Sequence, residues 1–137
     1  MNPDNLLIIR HMVDFGLVVL IWLVQLVIYP SLLHIASDRL VAWHRAYTFR
    51  MTWVVGPLML VQLGLVGWGT YYFMDAAHWL SLVLVIACWV WTFGVSVPFH
   101  VKIELEQGGA VIIRRLVVTN WVRTVLWTLV LLVGLTG

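Results

Sequence analysis

Four stretches of this chain are apolar almost without interruption, and most of the charge is pushed into the connections between them. The runs cover Phe15–Ala36, Met51–Met74, Trp79–Phe99 and Asn120–Gly137. A helix needs about 20 residues to cross the hydrocarbon core of a bilayer, and each run is close to that length. The first run is too long for a signal peptide and continues through Pro30 without a small-residue cleavage site, so it reads as a retained span. The pattern predicts an all-α integral membrane protein, a four-transmembrane-helix bundle of two hairpins, and one domain over 1–137. Ser37-Asp38 offers an N-cap ahead of "RLVAWHRAYTFR", which starts the second helix well before its membrane run. Gly108-Gly109 is the clearest break, so the third helix is expected to reach about Gln107 and the fourth to start near Ala110.

Composition agrees with the pattern. The 137 residues are 63% hydrophobic and only 10% charged, with a mean hydropathy of +1.00; a soluble domain carries about 25% charge. A net charge of +2 is too small to imply nucleic acid as a partner. The expected partner is the lipid bilayer, with a homo-oligomer or a larger membrane complex as further possibilities. The single thiol, Cys88, has no disulfide partner and reads as a packing residue.

Charge placement predicts orientation. Arg39, Arg45 and Arg50 lie between spans 1 and 2, and Lys102, Arg114 and Arg115 between spans 3 and 4. The "DAAH" link has no Lys or Arg, and the amino-terminal segment has only Arg10. Basic residues mark the cytoplasmic side. The expectation is a bacterial inner membrane location with both termini outside and both longer connections cytoplasmic.

Three prolines fall in the same half. Pro30, Pro57 and Pro98 each remove a backbone donor and free a carbonyl one turn earlier, at Leu26, Trp53 and Gly94. Freed carbonyls inside a bilayer must find a neighbour, a side chain or water. Polar side chains gather at the same depth. Gln25 and Tyr29 share a face of helix 1; His44, Tyr47 and Arg50 lie along helix 2; His100 follows Pro98; Asn120, Arg123 and Thr124 share a face of helix 4. Ionisable groups inside a membrane usually face the bundle interior or a cavity and have a partner. These nine residues are the candidate ligand-binding set. The candidate partners of Arg123 are Glu104, Glu106, a freed carbonyl or an anionic ligand, or it snorkels to headgroups.

At the opposite end, His11 and Asp14 are three apart, as are Asp75 and His78. Two such pairs form a metal site if the helix ends meet; otherwise they are solvated helix ends. Of the nine tryptophans, Trp22, Trp68, Trp89, Trp91 and Trp127 lie deep, either as packing or as walls for a flat cofactor. HExxH, the P-loop, GxSxG and GxGxxG are all absent, and no nucleophile–base pair falls inside the spans.

"GLVVLIWLVQLVIYPSL", "TWVVGPLMLVQ", "VPFH" and "RRLVVTNWVRTVLW" resemble a family of small bacterial four-span membrane proteins of unassigned function. The resemblance covers nearly the whole chain. It implies that His11, Gln25, Tyr29, Pro30, Arg50, Pro57, Pro98, His100, Asn120, Trp121, Arg123 and Thr124 are the characteristic positions. It also implies a histidine in many relatives where this chain has Ile28 or Tyr47. Haem-binding oxidoreductases such as the membrane protoporphyrinogen oxidase are similar in layout alone. The expected function is a membrane protein with a pocket in its cytoplasmic half for a small or flat anionic ligand, haem among the candidates. The alternatives are an oligomeric small transporter or channel, or a structural accessory subunit.

Overall fold

The computed structural model describes residues 3–136, with side chains from Asn5 onward. Four helices are each long and apolar enough to cross a membrane, and no strand is present among the described residues. Helix α1 runs from Pro3–Leu23 through a π turn at Val24–Ile28, a short α stretch at Tyr29–Ser31 and a 3-10 turn at Leu32–His34. Helix α2 spans Ser37–Phe73. Helix α3 spans Ala76–Glu104, with a π turn at Thr92–Ser96, and α4 spans Gly109–Gly134.

The helices form a ring in chain order, with α4 closing against α1, and the diagonal pairs make no extended contact. The shared interior is a column of Leu17, Ile21, Val66, Val85, Leu116 and Val130, all at most 3% exposed. Large apolar side chains such as Met12, Phe15, Trp53, Val90 and Val118 point outward instead. Water would penalise that surface heavily, whereas lipid accepts it. Every backbone donor in such helices is satisfied within its own segment, which is what a bilayer requires.

Two prolines reshape their helices in the same way. Pro30 and Pro98 each follow two residues behind a five-residue π turn. The amides of Tyr29 and Val97 reach back five residues, to the carbonyls of Val24 and Thr92. One extra residue in the turn absorbs the donor that proline lacks and widens the helix there. Pro57 differs from the other two: α2 runs through it without a π turn.

The turns differ in detail from what the sequence suggested. Ser37 is the first residue of α2 rather than its cap; Ala36 holds the cap position with no side-chain bond, and Asp38 sits in the first turn. Helix α3 ends at Glu104, three residues before Gln107. Gly108 then caps α4 with φ 78°, and a Cβ there would run into Ile112 Cγ1, so the turn needs glycine.

The bundle has two distinct ends. The 35–36 and 105–108 connections lie at one, called here the basic end. The 74–75 connection and the C-terminus of α4 lie at the other, the terminal end. Six basic residues are exposed towards the first: Arg39, Arg45, Arg50, Lys102, Arg114 and Arg115. The remaining two, Arg10 and Arg123, are buried inside the bundle.

Candidate functional site

A cavity of about 330 Å³ opens in the half nearer the basic end, with walls from α1, α2 and α3. Both π turns contribute to it, through Val24 and through Thr92, Phe93 and Ser96. The wider π backbone carries the side chains off the regular helical register, and the gap stays unfilled. Exposed Thr52, Phe93 and Val97 stand at its rim between α2 and α3, so the cavity opens sideways, towards the apolar outer face. Most of the lining surface is apolar. Its ionisable side chains are Tyr29, Tyr47, His100 and, on α4, Arg123 beside Trp127, and Thr48, Thr52, Thr92 and Ser96 add hydroxyls.

Arg123 is only 7% exposed. Its Nη1 donates to Asn120 Oδ1 at 3.3 Å, and its guanidinium lies over the Trp127 ring, 5.0 Å from the centroid. Its Nε has no partner, and no carboxylate pairs with it among the described residues. Of the candidate partners, Glu104 and Glu106 therefore do not pair with it. Glu104 is taken by His44 Nδ1 at 3.5 Å and Arg45 Nε at 3.9 Å. Its burial against the cavity and the Trp127 ring argues against snorkelling to headgroups.

Four of the nine candidates line the cavity, Tyr29, Tyr47, His100 and Arg123. His44 stands behind them, fully buried, with Nε2 2.7 Å from His100 Nδ1. His100 Nε2 lies 2.9 Å from the Tyr29 hydroxyl. Gln25, Asn120 and Thr124 do not line it. The Gln25 side-chain oxygen accepts from Asn120 Nδ2 at 2.9 Å and from Thr124 Oγ1 at 3.5 Å, and its amide donates to the Val117 carbonyl at 3.1 Å. They form a clamp between α1 and α4, one of whose ends steadies Arg123. Arg50 is corrected outright: it is exposed on α2 and touches none of the others.

The sequence reading missed a second buried polar group. Arg10, Asp14, Gln62 and Ser81 meet nearer the terminal end, all at most 2% exposed. Arg10 Nε lies 3.5 Å from Asp14 Oδ2, and Arg10 Nη2 donates to Ser81 Oγ at 2.7 Å. Gln62 Nε2 donates to Asp14 Oδ1 at 2.6 Å, and Trp127 Nε1 donates to Gln62 Oε1 at 3.1 Å. The indole of Trp127 thus divides the two groups, one on its N–H and the other over its ring. The signal was available: Gln62 is a polar residue deep in a span, and Arg10 stands four residues before Asp14 on one helical face.

The metal candidates are not gathered. Among the described residues no three His, Cys, Asp or Glu side chains come together as a metal site. Asp14 is committed to Arg10 and Gln62, and His11 Nε2 lies 3.0 Å from the Gly134 carbonyl. Asp75 caps α3: its carboxylate accepts from the His78 amide at 2.9 Å and from the His78 ring at 2.8 Å. These bonds, the backbone one foremost, hold the Asp75 carboxyl below its ordinary range. The three-residue spacing is thus a capping geometry.

The haem expectation fails a fit test on the donors. His100, the one imidazole that lines the cavity, bonds through both ring nitrogens, and His44, whose Nδ1 is unbonded, stands behind it and does not line the cavity, so neither presents iron with a free nitrogen there. Of the deep tryptophans only Trp127 lines the cavity, leaving no pair of indoles to sandwich a flat ring. No family model, curated protein or solved structure matches the chain.

Proposed function

We propose that this protein is a bacterial inner-membrane binding protein whose lateral cavity takes an amphipathic anion, a carboxylate on an apolar tail. The observation that carries the reading is Arg123, a buried cation at a cavity with no carboxylate to neutralise it. A buried charge without a counter-charge is expensive. A bound carboxylate supplies that counter-charge, and Arg is the side chain best matched to it. The volume is at the small end of ordinary ligand sites. The aliphatic walls suit a tail, and the sideways opening suits entry from lipid rather than from water.

Orientation is part of the proposal. With Arg10 locked in an ion pair, all six exposed basic residues lie towards one end, which supports a cytoplasmic basic end and both termini outside. Kinship with the family of small bacterial four-span proteins rests on the quoted motifs alone. The clamp of Gln25, Asn120 and Thr124 favours an architectural role for those three within the same protein.

The test is binding of dodecanoate to the purified protein in lipid nanodiscs, followed by calorimetry. Saturable binding at one site per chain, weakened in Arg123→Ala, is expected. Binding unaffected by Arg123→Ala, or no saturable binding, overturns the reading.

A further inference from the structure

Behind the cavity, three helices assemble a chain of groups that can each pass a proton. Tyr29 comes from α1, His100 and Glu104 from α3, and His44 from α2. Their order in space is Tyr29 hydroxyl, His100 Nε2 at 2.9 Å, His100 Nδ1 to His44 Nε2 at 2.7 Å, and His44 Nδ1 to Glu104 Oε1 at 3.5 Å. One end lines the cavity. At the other, the Glu104 side chain is 31% exposed. No water is required to bridge the first three members, and the last gap is closed by a small movement of a surface carboxylate.

The direction of this chain follows from its terminus. His44 Nδ1 makes no hydrogen bond in the structure, and the acceptor facing it is Glu104, 3.5 Å away. A carboxylate only accepts, so when Glu104 closes that gap His44 Nδ1 carries the proton. A neutral imidazole has one N–H, so His44 Nε2 accepts, and His100 Nδ1 donates to it. His100 Nε2 must then accept, and the Tyr29 O–H donates to it. Both hydrogen bonds, and the Glu104 contact once it closes, then point the same way, from the cavity towards Glu104. The hydroxyl oxygen of Tyr29 is left as an acceptor at the cavity, the place where a ligand O–H binds.

We propose that Tyr29, His100, His44 and Glu104 form a proton exit, and that the ligand is therefore a weak acid that enters neutral from the lipid and is held as its anion. This rests on the cavity reading above. The acid's O–H passes its proton to the Tyr29 oxygen while Tyr29 passes its own to His100 Nε2. His100 Nδ1 releases its proton to His44 Nε2, and His44 Nδ1 releases its proton to Glu104. The products are a carboxylate on Arg123, a neutral Tyr29, both imidazoles in the opposite tautomer and a protonated Glu104 that exchanges with water. Charge is conserved, since the negative charge moves from Glu104 to the ligand beside Arg123. Departure of the acid runs the sequence backwards and restores the tautomers.

The charged and titratable neighbours fit that direction. Arg123 and Tyr47 face the cavity end. Arg45 lies 3.9 Å from Glu104 Oε2 and the Thr48 hydroxyl 3.4 Å from Oε1 at the exit. The path stops at Arg123 and Trp127. The indole N–H faces Gln62 and an arginine does not give up its proton, so the Asp14 group lies outside the route. Proton access to the cavity is therefore from the basic end only.

Two measurements on the full chain in nanodiscs test this. Nitrogen-15 NMR of labelled histidine, without ligand, is expected to show His44 and His100 as neutral Nδ1–H tautomers; Nε2–H at either one overturns the direction. For the second, carboxyl-carbon-13 dodecanoic acid is bound and the pH stepped, and the infrared carboxyl bands follow how fast the bound acid titrates. His44→Phe and the partly exposed Glu104→Gln are expected to slow this at least tenfold while leaving dodecanoate affinity within twofold. Titration as fast as in the native protein overturns the relay while leaving the cavity reading intact. Absence of any binding that depends on Arg123 removes both.

Discussion

The two buried arginines sit on the same kind of surface and have opposite surroundings. Arg10 has its carboxylate one helical turn away on α1, a hydroxyl from α3, and an amide from α2 steadying that carboxylate. Arg123 has one amide oxygen, an aromatic face and a cavity. The first is complete in charge within the protein and holds three helices together, although Arg10 Nε and Nη1 and Asp14 Oδ2 make no hydrogen bond. The second has no counter-charge among the described residues, and on the reading proposed above a bound anion supplies it. The closeness of Gly134 sharpens the contrast: a Cβ there would stand 3.1 Å from Arg10 Nη2, so α4 is packed hard over the ion pair. Arg123 instead lines the open cavity.

Breaking the complete group should have the largest effect. Asp14→Ala leaves Arg10 charged, buried and unpaired, and is expected to lower the unfolding free energy by about 3–5 kcal/mol. Unfolding in mixed detergent micelles measures it. Replacing both partners by apolar residues, Arg10→Met with Asp14→Leu, should recover most of the loss, because no charge is then stranded. If the single variant is as stable as the native protein, the ion pair is not what closes this end.

Breaking the incomplete one should spare the fold and remove the ligand. Arg123→Ala is expected to weaken dodecanoate binding about 10–100-fold, from the roughly 1.5–3 kcal/mol of a charged hydrogen bond. Its unfolding free energy should fall by only about 1–2 kcal/mol, the cost of stranding Asn120 Oδ1. A loss as large as that of Asp14→Ala would make Arg123 architectural and erase the distinction between the two. Trp127→Phe probes the boundary between them. It strands the Gln62 oxygen and should lower stability by about 1–2 kcal/mol, with dodecanoate binding nearly unchanged because the ring face under Arg123 remains.

The fold was legible because a membrane helix is specified by length and polarity, both of which a linear sequence carries. Much of the polar cluster was legible for the same reason: Tyr29, Tyr47, His100 and Arg123 stand out as polar residues in apolar runs. What each one faces was not. Arg50 and Arg123 look alike in the sequence, but a helix rotates by about 100° per residue, and neighbouring helices decide which angle points inward. Arg10 was read as a topology charge because four-residue spacing to Asp14 does not say whether the pair is solvated or buried. Glu104 looked like a partner for Arg123 until α3 turned it towards α2. The two π turns were foreshadowed by Pro30 and Pro98, yet Pro57, with the same chemistry, produced none. The structure contains no feature that explains that difference.

The smallest effect is expected at the other pair of like spacing, Asp75 and His78, which ends as a cap rather than a site. The Asp75 carboxyl lies below its ordinary value of 3.8 because it accepts from the His78 amide and ring. A carboxyl depressed in the folded state contributes stability that is fully present above the unfolded value and is lost as pH falls through the lower folded one. Asp75→Asn removes the titration while keeping an oxygen able to cap the helix. Melting curves of the variant and the native protein should therefore differ slightly above pH 3.8 and converge below it. Since Asp75 is solvent-exposed, salt should shrink the difference, whereas the losses at Asp14 should resist it. A pH- and salt-insensitive gap would instead assign the Asp75 contribution to cap geometry alone.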